Sequence, residues 1–394
     1  MNLPELSARR GVAALSVTQI FSWGSSYFIP AVLSRPIAAD LDLPIAVVFS
    51  GITVMLVVGS TIGPALGRRT DRIGPRDILV AGSVLMALGL AFLGLATGLA
   101  GYVLAWSLIG LAMPMVLTQT PFAAVAQLMP HAARRALGWL TLLGGLGPPI
   151  ALPLLAALEP VLGWRGTCFA LAAAQILICV PLHAALRVDP KNLTGAEGEP
   201  AEGERGLVDP VLRRRAFLTI GVAFGCTGFV SWGLPVQMVN IGEALGMDLA
   251  LAVGIAALMG PAQMVSRGLE TAFGQRLQIL DVGIVSAATI AVACALPAIF
   301  GAGAIVYAAC VIGYGLGTGA MTIVRVVAPL AVFGRRGYAE IMGKLNLPLN
   351  LIFAVAPFAL SASLTHLGPI ATLSICAGLT AICFAGLYRL KRLV

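Results

Sequence analysis

Twelve apolar stretches, each about long enough to cross a bilayer as a helix, follow one another along this chain: residues 11–34, 44–66, 78–98, 101–127, 136–158, 164–186, 215–239, 248–267, 279–299, 301–328, 338–361 and 366–388. Roughly 20 helical residues cross the hydrocarbon core, and only helices and closed barrels can satisfy their backbone groups there. Charged residues make up 11% of the 394 positions. Soluble domains carry about a quarter, so the bilayer must be the solvent for much of the surface. An all-α membrane protein with twelve transmembrane helices is expected.

The cations fix an orientation. With the N-terminus inside, cytoplasmic positions collect Arg9, Arg10, Arg68, Arg69, Arg72, Arg76, Arg134, Arg135, the cluster from Arg187 to Arg215, Arg267, Arg276, Arg335, Arg336, Lys344 and the tail Arg389, Lys391 and Arg392. The other side keeps only Arg35 and Arg165. Lys and Arg favour cytoplasmic loops, so both termini are expected in the cytoplasm of a multi-pass protein of the cell inner membrane. The net charge of +8 is accounted for by these clusters, with membrane lipid as the partner and no nucleic acid. The first apolar stretch has no small-residue cleavage site after Arg9 and Arg10 and is expected to be retained. The seven cysteines lie inside apolar segments without CxxC spacing and read as small buried hydrophobes, with no disulfide and no metal site.

Residues 188–210 are polar, acidic and rich in glycine and proline, the composition of a flexible connection. They suggest an N-terminal six-helix bundle over 1–187, a cytoplasmic loop over 188–214 and a C-terminal six-helix bundle over 215–394. The halves echo each other: Ser22-Trp23-Gly24 before Pro30 against Ser231-Trp232-Gly233 before Pro235, and Gly110-Leu111-Ala112 against Gly315-Leu316-Gly317. Two pseudo-symmetric bundles follow. Pro114 and Pro121 should kink the fourth segment, and Pro148, Pro149 and Pro153 the fifth.

Between segments 2 and 3 lies Gly67-Arg68-Arg69-Thr70-Asp71-Arg72-Ile73-Gly74-Pro75-Arg76. With its twelve spans and central loop, the chain resembles the major facilitator superfamily, whose signature here is G-x-x-x-D-R-x-G-R-[R/K]. Gly67, Asp71, Arg72, Gly74 and Arg76 match it, while Pro75 stands where an Arg belongs. The resemblance implies the fold of that superfamily, transport by alternating access, and a gating role for these residues, with Asp71 helping to hold the two halves together on the cytoplasmic side. A carboxylate facing a helix N-terminus, here that of segment 11, gains about 0.3–1 kcal/mol. Glu340 is a further gating candidate, as a partner for Arg325. The corresponding stretch after segment 8, Gly268–Arg276, keeps glycines and loses most charges. Gly144–Ala151 partly matches the superfamily's antiporter signature in segment 5.

All seventeen acids fall in loops or at span ends. Ionisable groups at mid-membrane mark function by default, and here the deep ones are cations: Arg325 in segment 10 and Lys344 in segment 11, near Asn346 and Asn350. A guanidinium without a buried acid suits a carboxylate or other oxyanion; snorkelling of either cation to the interface is the competing reading. Gln19, Trp23 and Tyr27 share one helical face, Gln119 lies in segment 4, and Trp232, Gln237 and Asn240 occupy segment 7. These can line a substrate cavity or pack between helices. His131 and His183 are expected at the cytoplasmic surface and His366 at an external end.

No catalytic cluster of His, Asp or Ser suggests an enzyme, and no Walker motif suggests a pump. The expectation is a secondary transporter for a small organic anion or monocarboxylate, functional as a monomer. It needs no cofactor and is driven by an ion gradient, with protons the default. The alternatives are an efflux pump for a small toxic compound (an antibiotic, or a trivalent metalloid such as arsenite) and, from another class, a membrane-embedded solute sensor.

Overall fold

A computed structural model describes residues 3–129, 132–186, 207, 209–334 and 337–393, and its regular elements are helices. Most of the connection over 188–206, together with His131, Arg335 and Arg336 and the side chains of Pro148 and Pro149, lies outside the described residues. The described parts of Met1–Pro200 and Arg335–Leu347 form one compact unit, and those of Ala201–Gly334 and Pro348–Val394 a second.

In the first unit the chain runs through α1 (Leu3–Gly24), α2 (Ile29–Leu41), α3 (Ile45–Ile73), α4 (Arg76–Leu95), α5 (Leu99–Val116), α6 (Gln119–Leu128), α7 (Ala133–Gly144) and α8 (Gly147–Ala174). A π-helical turn over Gln175–Cys179 and α9 (Val180–Ala184) complete it. The second unit holds α10 (Pro210–Ala244), α11 (Leu249–Ala257), α12 (Met259–Phe273), α13 (Ile279–Phe300), α14 (Ala304–Phe333) and α16 (Pro369–Lys391). Between α14 and α16 runs α15 (Tyr338–Leu367), whose residues up to Leu347 belong to the first unit.

Among the described residues ten helices are each long and apolar enough to cross a membrane. The first pass, α1 with α2, is broken at residues 25–28, and α8 holds two helices joined at Gly163 (φ +65°). These two features bring the passes to twelve. The breaks are chemically legible. Ser26 Oγ donates to the Ser22 carbonyl at 2.6 Å, a side chain taking the place of a helical bond, and Gln175 Nε2 donates to Ser25 Oγ at 2.8 Å. In the fourth pass α5 ends at Val116 and α6 begins at Gln119, placing the break between Pro114 and Pro121. Pro121 has no N–H to offer the preceding turn, and the nearby Val116 carbonyl accepts from Gln19 Nε2 at 2.6 Å. The fifth pass breaks at Gly145 and Leu146, ahead of its prolines.

Small residues set the helix spacing, and the echoed glycines do equivalent work in the two units. A side chain on Gly110 of α5 would meet the Met55 carbonyl of α3 at 3.0 Å. On Gly315 of α14 it would meet the Met259 carbonyl of α12 at 2.8 Å. The cysteines are free; six are buried, with Cys294, Cys310 and Cys376 in one core cluster with Tyr307 and Tyr314. Around the periphery Leu88, Phe92, Leu177 and Ile305 stand exposed, the apolar coat a lipid-facing surface requires.

Gly163 combines φ +65° with ψ 172° and has open space where a Cβ would go. That backbone region is essentially restricted to glycine. Gly163→Ala should therefore destabilise by about 1–3 kcal/mol through the backbone alone. A lowered thermal-unfolding midpoint in detergent is expected; an unchanged midpoint would show that the kink relaxes without strain.

Candidate functional site

The signature loop lies at the end of α3 and the start of α4. Gly74 ends α3 at φ +87°, its N–H donating to the Thr70 carbonyl at 3.0 Å. Gly67 lets α3 meet the start of α15 within the first unit: a side chain there would collide with the Ala339 carbonyl. One turn away, a side chain on Gly343 would reach the Gly63 carbonyl at 2.6 Å. This contact, Gly63 and Gly67 against Ala339 and Gly343, brings Asp71 onto the N-terminus of α15. Asp71 is 8% exposed and accepts from the Glu340 amide at 3.1 Å and the Ala339 amide at 3.4 Å. The first amides of a helix lack internal partners and carry its positive end, so the carboxylate and helix answer each other. Glu340 pairs with Lys344 at 2.8 Å and Arg68 at 3.6 Å. These half-exposed pairs are worth about 0–1 kcal/mol. Arg72 is exposed, and Arg76 Nε donates to the Ala184 carbonyl at 2.8 Å.

Other candidates of the first unit lie on α1, in the break after it, and on α6. Gln19 accepts from Trp23 Nε1 at 3.0 Å, so the bond to Val116 and this one engage both ends of its amide. Trp23 and Tyr27 meet edge to face at 5.9 Å. Gln119 is buried, and its Oε1 has no partner. Lys344 is engaged by Glu340, and Asn346 is partly buried two residues on.

The second unit holds a different polar constellation. Arg325 of α14 donates through Nη2 to Ser231 Oγ of α10 at 2.9 Å, and its guanidinium lies 5.9 Å from the Phe353 ring of α15. That ring stacks on Trp232 at 5.5 Å and 9°. Ser231 spends its own hydrogen on the Thr227 carbonyl at 2.7 Å and so serves Arg325 as an acceptor. The Nε of Arg325 is occluded and has no partner, and no acid pairs with the side chain among the described residues. Glu340 is engaged within the first unit by Lys344 and Arg68. Gln237 and Asn240 bond to each other at 3.0 Å.

Two residues read otherwise from the sequence. His183 is fully buried rather than superficial: Nε2 lies 2.9 Å from Thr18 Oγ1 and Nδ1 2.8 Å from Ser83 Oγ. Thr18 gives its hydrogen to the Leu15 carbonyl at 3.0 Å, so Nε2 carries the ring proton and donates to Thr18. Hydroxyls on two neighbouring helices are the signal that hydropathy overlooks. Arg267, counted on the cytoplasmic side as the last residue of segment 8, is inside α12, which runs on to Phe273. Its Nη2 reaches Thr322 Oγ1 at 3.4 Å, and its Nε is occluded without a partner. Glu270, one turn further, is buried against Gly274, where a Cβ would collide with its carboxylate.

The family model of the major facilitator superfamily matches residues 15–339. The chain belongs to that superfamily. An uncharacterized 38 kDa protein in the 23S RNA operon of Thermoproteus tenax is 34% identical over 146 residues. The match spans 37% of this chain and only 38% of that protein. Among solved structures, the human organic anion transporter MFSD10 (TETRAN) is similar with a TM-score of 0.72 and 16% identity, over 96% of this chain and 99% of that one. The E. coli fucose:proton symporter FucP gives 0.71 and 14% over 98% and 99%. The proton:xylose symporter XylE gives 0.71 and 14% over 97% and 95%. At these identities the likeness is one of fold, the fold of secondary transporters.

Asp71→Asn removes the charge facing α15. Amide exchange at Ala339 and Glu340 should accelerate roughly two- to fivefold, the equivalent of about 0.3–1 kcal/mol. Unchanged exchange in hydrogen–deuterium measurements would show that the contact contributes nothing to holding that helix end.

Proposed function

We propose that the chain is a secondary transporter that moves a small organic anion, of the carboxylate class, across the cell inner membrane by alternating access, with Arg325 gripping the anion. The observation that carries this reading is the state of Arg325: a guanidinium enclosed by helices, with one hydroxyl partner, an unpartnered Nε and no counter-charge among the described residues. A buried charge is strongly destabilising unless paired, and a bound carboxylate supplies both the charge and a bidentate fit.

The remaining parts of the proposal come from the sequence. Both termini face the cytoplasm, the protein acts as a monomer without a cofactor, and the ion gradient is a proton gradient. Asp71 and its partners at the start of α15 form the gate. Lys344, held by Glu340, serves that gate rather than the anion.

The test is flux in proteoliposomes. Labelled carboxylates should enter in response to a pH gradient, Arg325→Gln should reduce uptake at least about tenfold, and Arg325→Lys should fall between, since an ammonium keeps the charge without the fork. Carboxylate uptake indifferent to Arg325→Gln would overturn the assignment.

A further inference from the structure

Arg325 is not alone. The glycine contacts of α14 seat α12 directly against it: a side chain on Gly315 would meet the Met259 carbonyl at 2.8 Å, and one on Gly319 the Gln263 carbonyl at 2.5 Å. This contact creates a polar ladder between two apolar helices. Gln263 donates to Thr318 Oγ1 at 3.2 Å, and one turn on, Arg267 donates to Thr322 Oγ1 at 3.4 Å. Arg325 lies three residues after Thr322 and seven after Thr318, on the same side of α14. The threonine hydrogens are themselves spent on helix carbonyls, Thr318 on Tyr314 at 2.8 Å and Thr322 on Thr318 at 2.9 Å. Their oxygens therefore act only as acceptors and bring no negative charge.

The two arginines are in matching states. Each guanidinium has five N–H donors, yet each makes a single hydrogen bond to a neutral hydroxyl, and the Nε of each is occluded and unpartnered. The charged ends are enclosed by protein while part of each side chain stays accessible. Two positive charges thus lie in adjoining turns of one helix pair, and neither is ion-paired among the described residues, although the buried Glu270 lies one turn beyond Arg267. One carboxylate on Arg325 would leave Arg267 unanswered.

We propose that Arg267 and Arg325 form a paired-guanidinium site, and that the substrate is a small dicarboxylate carrying one carboxylate for each. This rests on the reading of Arg325 given above and adds to it a second ligand and a charge count. Gln263 is held against Thr318 and Arg267 against Thr322, so α12 lies along the side of α14 that carries Arg325.

The experiment uses the full chain in proteoliposomes and compares uptake of acetate and propionate with that of malonate, succinate and glutarate. The dicarboxylates should be preferred. Arg267→Gln should lower the ratio of dicarboxylate to monocarboxylate uptake by roughly 10- to 100-fold, the loss of one charge-assisted contact, and Arg267→Lys should restore part of it. Arg325→Gln should depress uptake of both classes. A thermal-unfolding midpoint near that of the unaltered protein identifies folded variants, and Thr322→Val, which leaves both guanidiniums in place, reports on the ladder if Arg267→Gln fails to fold. If Arg267→Gln or Thr322→Val changes both classes in parallel, or neither, the paired site is wrong while the role of Arg325 stands. If no carboxylate is carried, or uptake ignores Arg325, both readings fail.

Discussion

Hydrocarbon offers no hydrogen-bond partner and no counter-ion, so a polar group carried into it must be answered by another part of the chain. Most such groups here are answered locally. Serine and threonine hydroxyls return to carbonyls three or four residues back, as Ser16 does to Val12 at 2.9 Å and Thr227 to Ala223 at 3.0 Å. Where helices break, side chains take up the freed groups, as Gln19 does for Val116. Glycine makes close helix contact possible, so that these short side chains reach across at all.

Two kinds of buried charge stand apart on this background. Asp71 is answered by the fixed partial charges of the α15 N-terminus, an arrangement that ends when that helix end moves away. A contact of this kind is worth about 0.3–1 kcal/mol. Arg325 and Arg267 are answered by neutral groups, a hydroxyl oxygen each and, for Arg325, the Phe353 ring. A transporter needs both devices: a charge contact made and lost with conformation, and a site whose electrostatics improve when the solute arrives.

Much of the fold was legible in the sequence because the bilayer imposes lengths and charge asymmetry on every span. Segment limits were less so. Segment 8 was drawn to end at Arg267, whereas α12 continues to Phe273 and Arg267 bonds Thr322 of α14. His183 was misplaced for the same reason: a polar residue late in a span looks superficial unless Thr18 and Ser83, 165 and 100 positions away in sequence, are known to meet it. Arg325 stood out in sequence because it is flanked by apolar residues inside a span, with snorkelling to the interface as the competing reading. Its lack of an acid partner is a fact of packing that only the fold displays.

The central claim is that an anion completes the Arg325 site. Its most direct test is a structure of the protein with a brominated carboxylate, in which anomalous scattering locates the halogen and density locates the carboxylate. The expected result is a carboxylate bonded to the Arg325 guanidinium, with its Nε no longer unpartnered. A transported carboxylate seated elsewhere, with Arg325 still bonded to Ser231 alone, would contradict the claim.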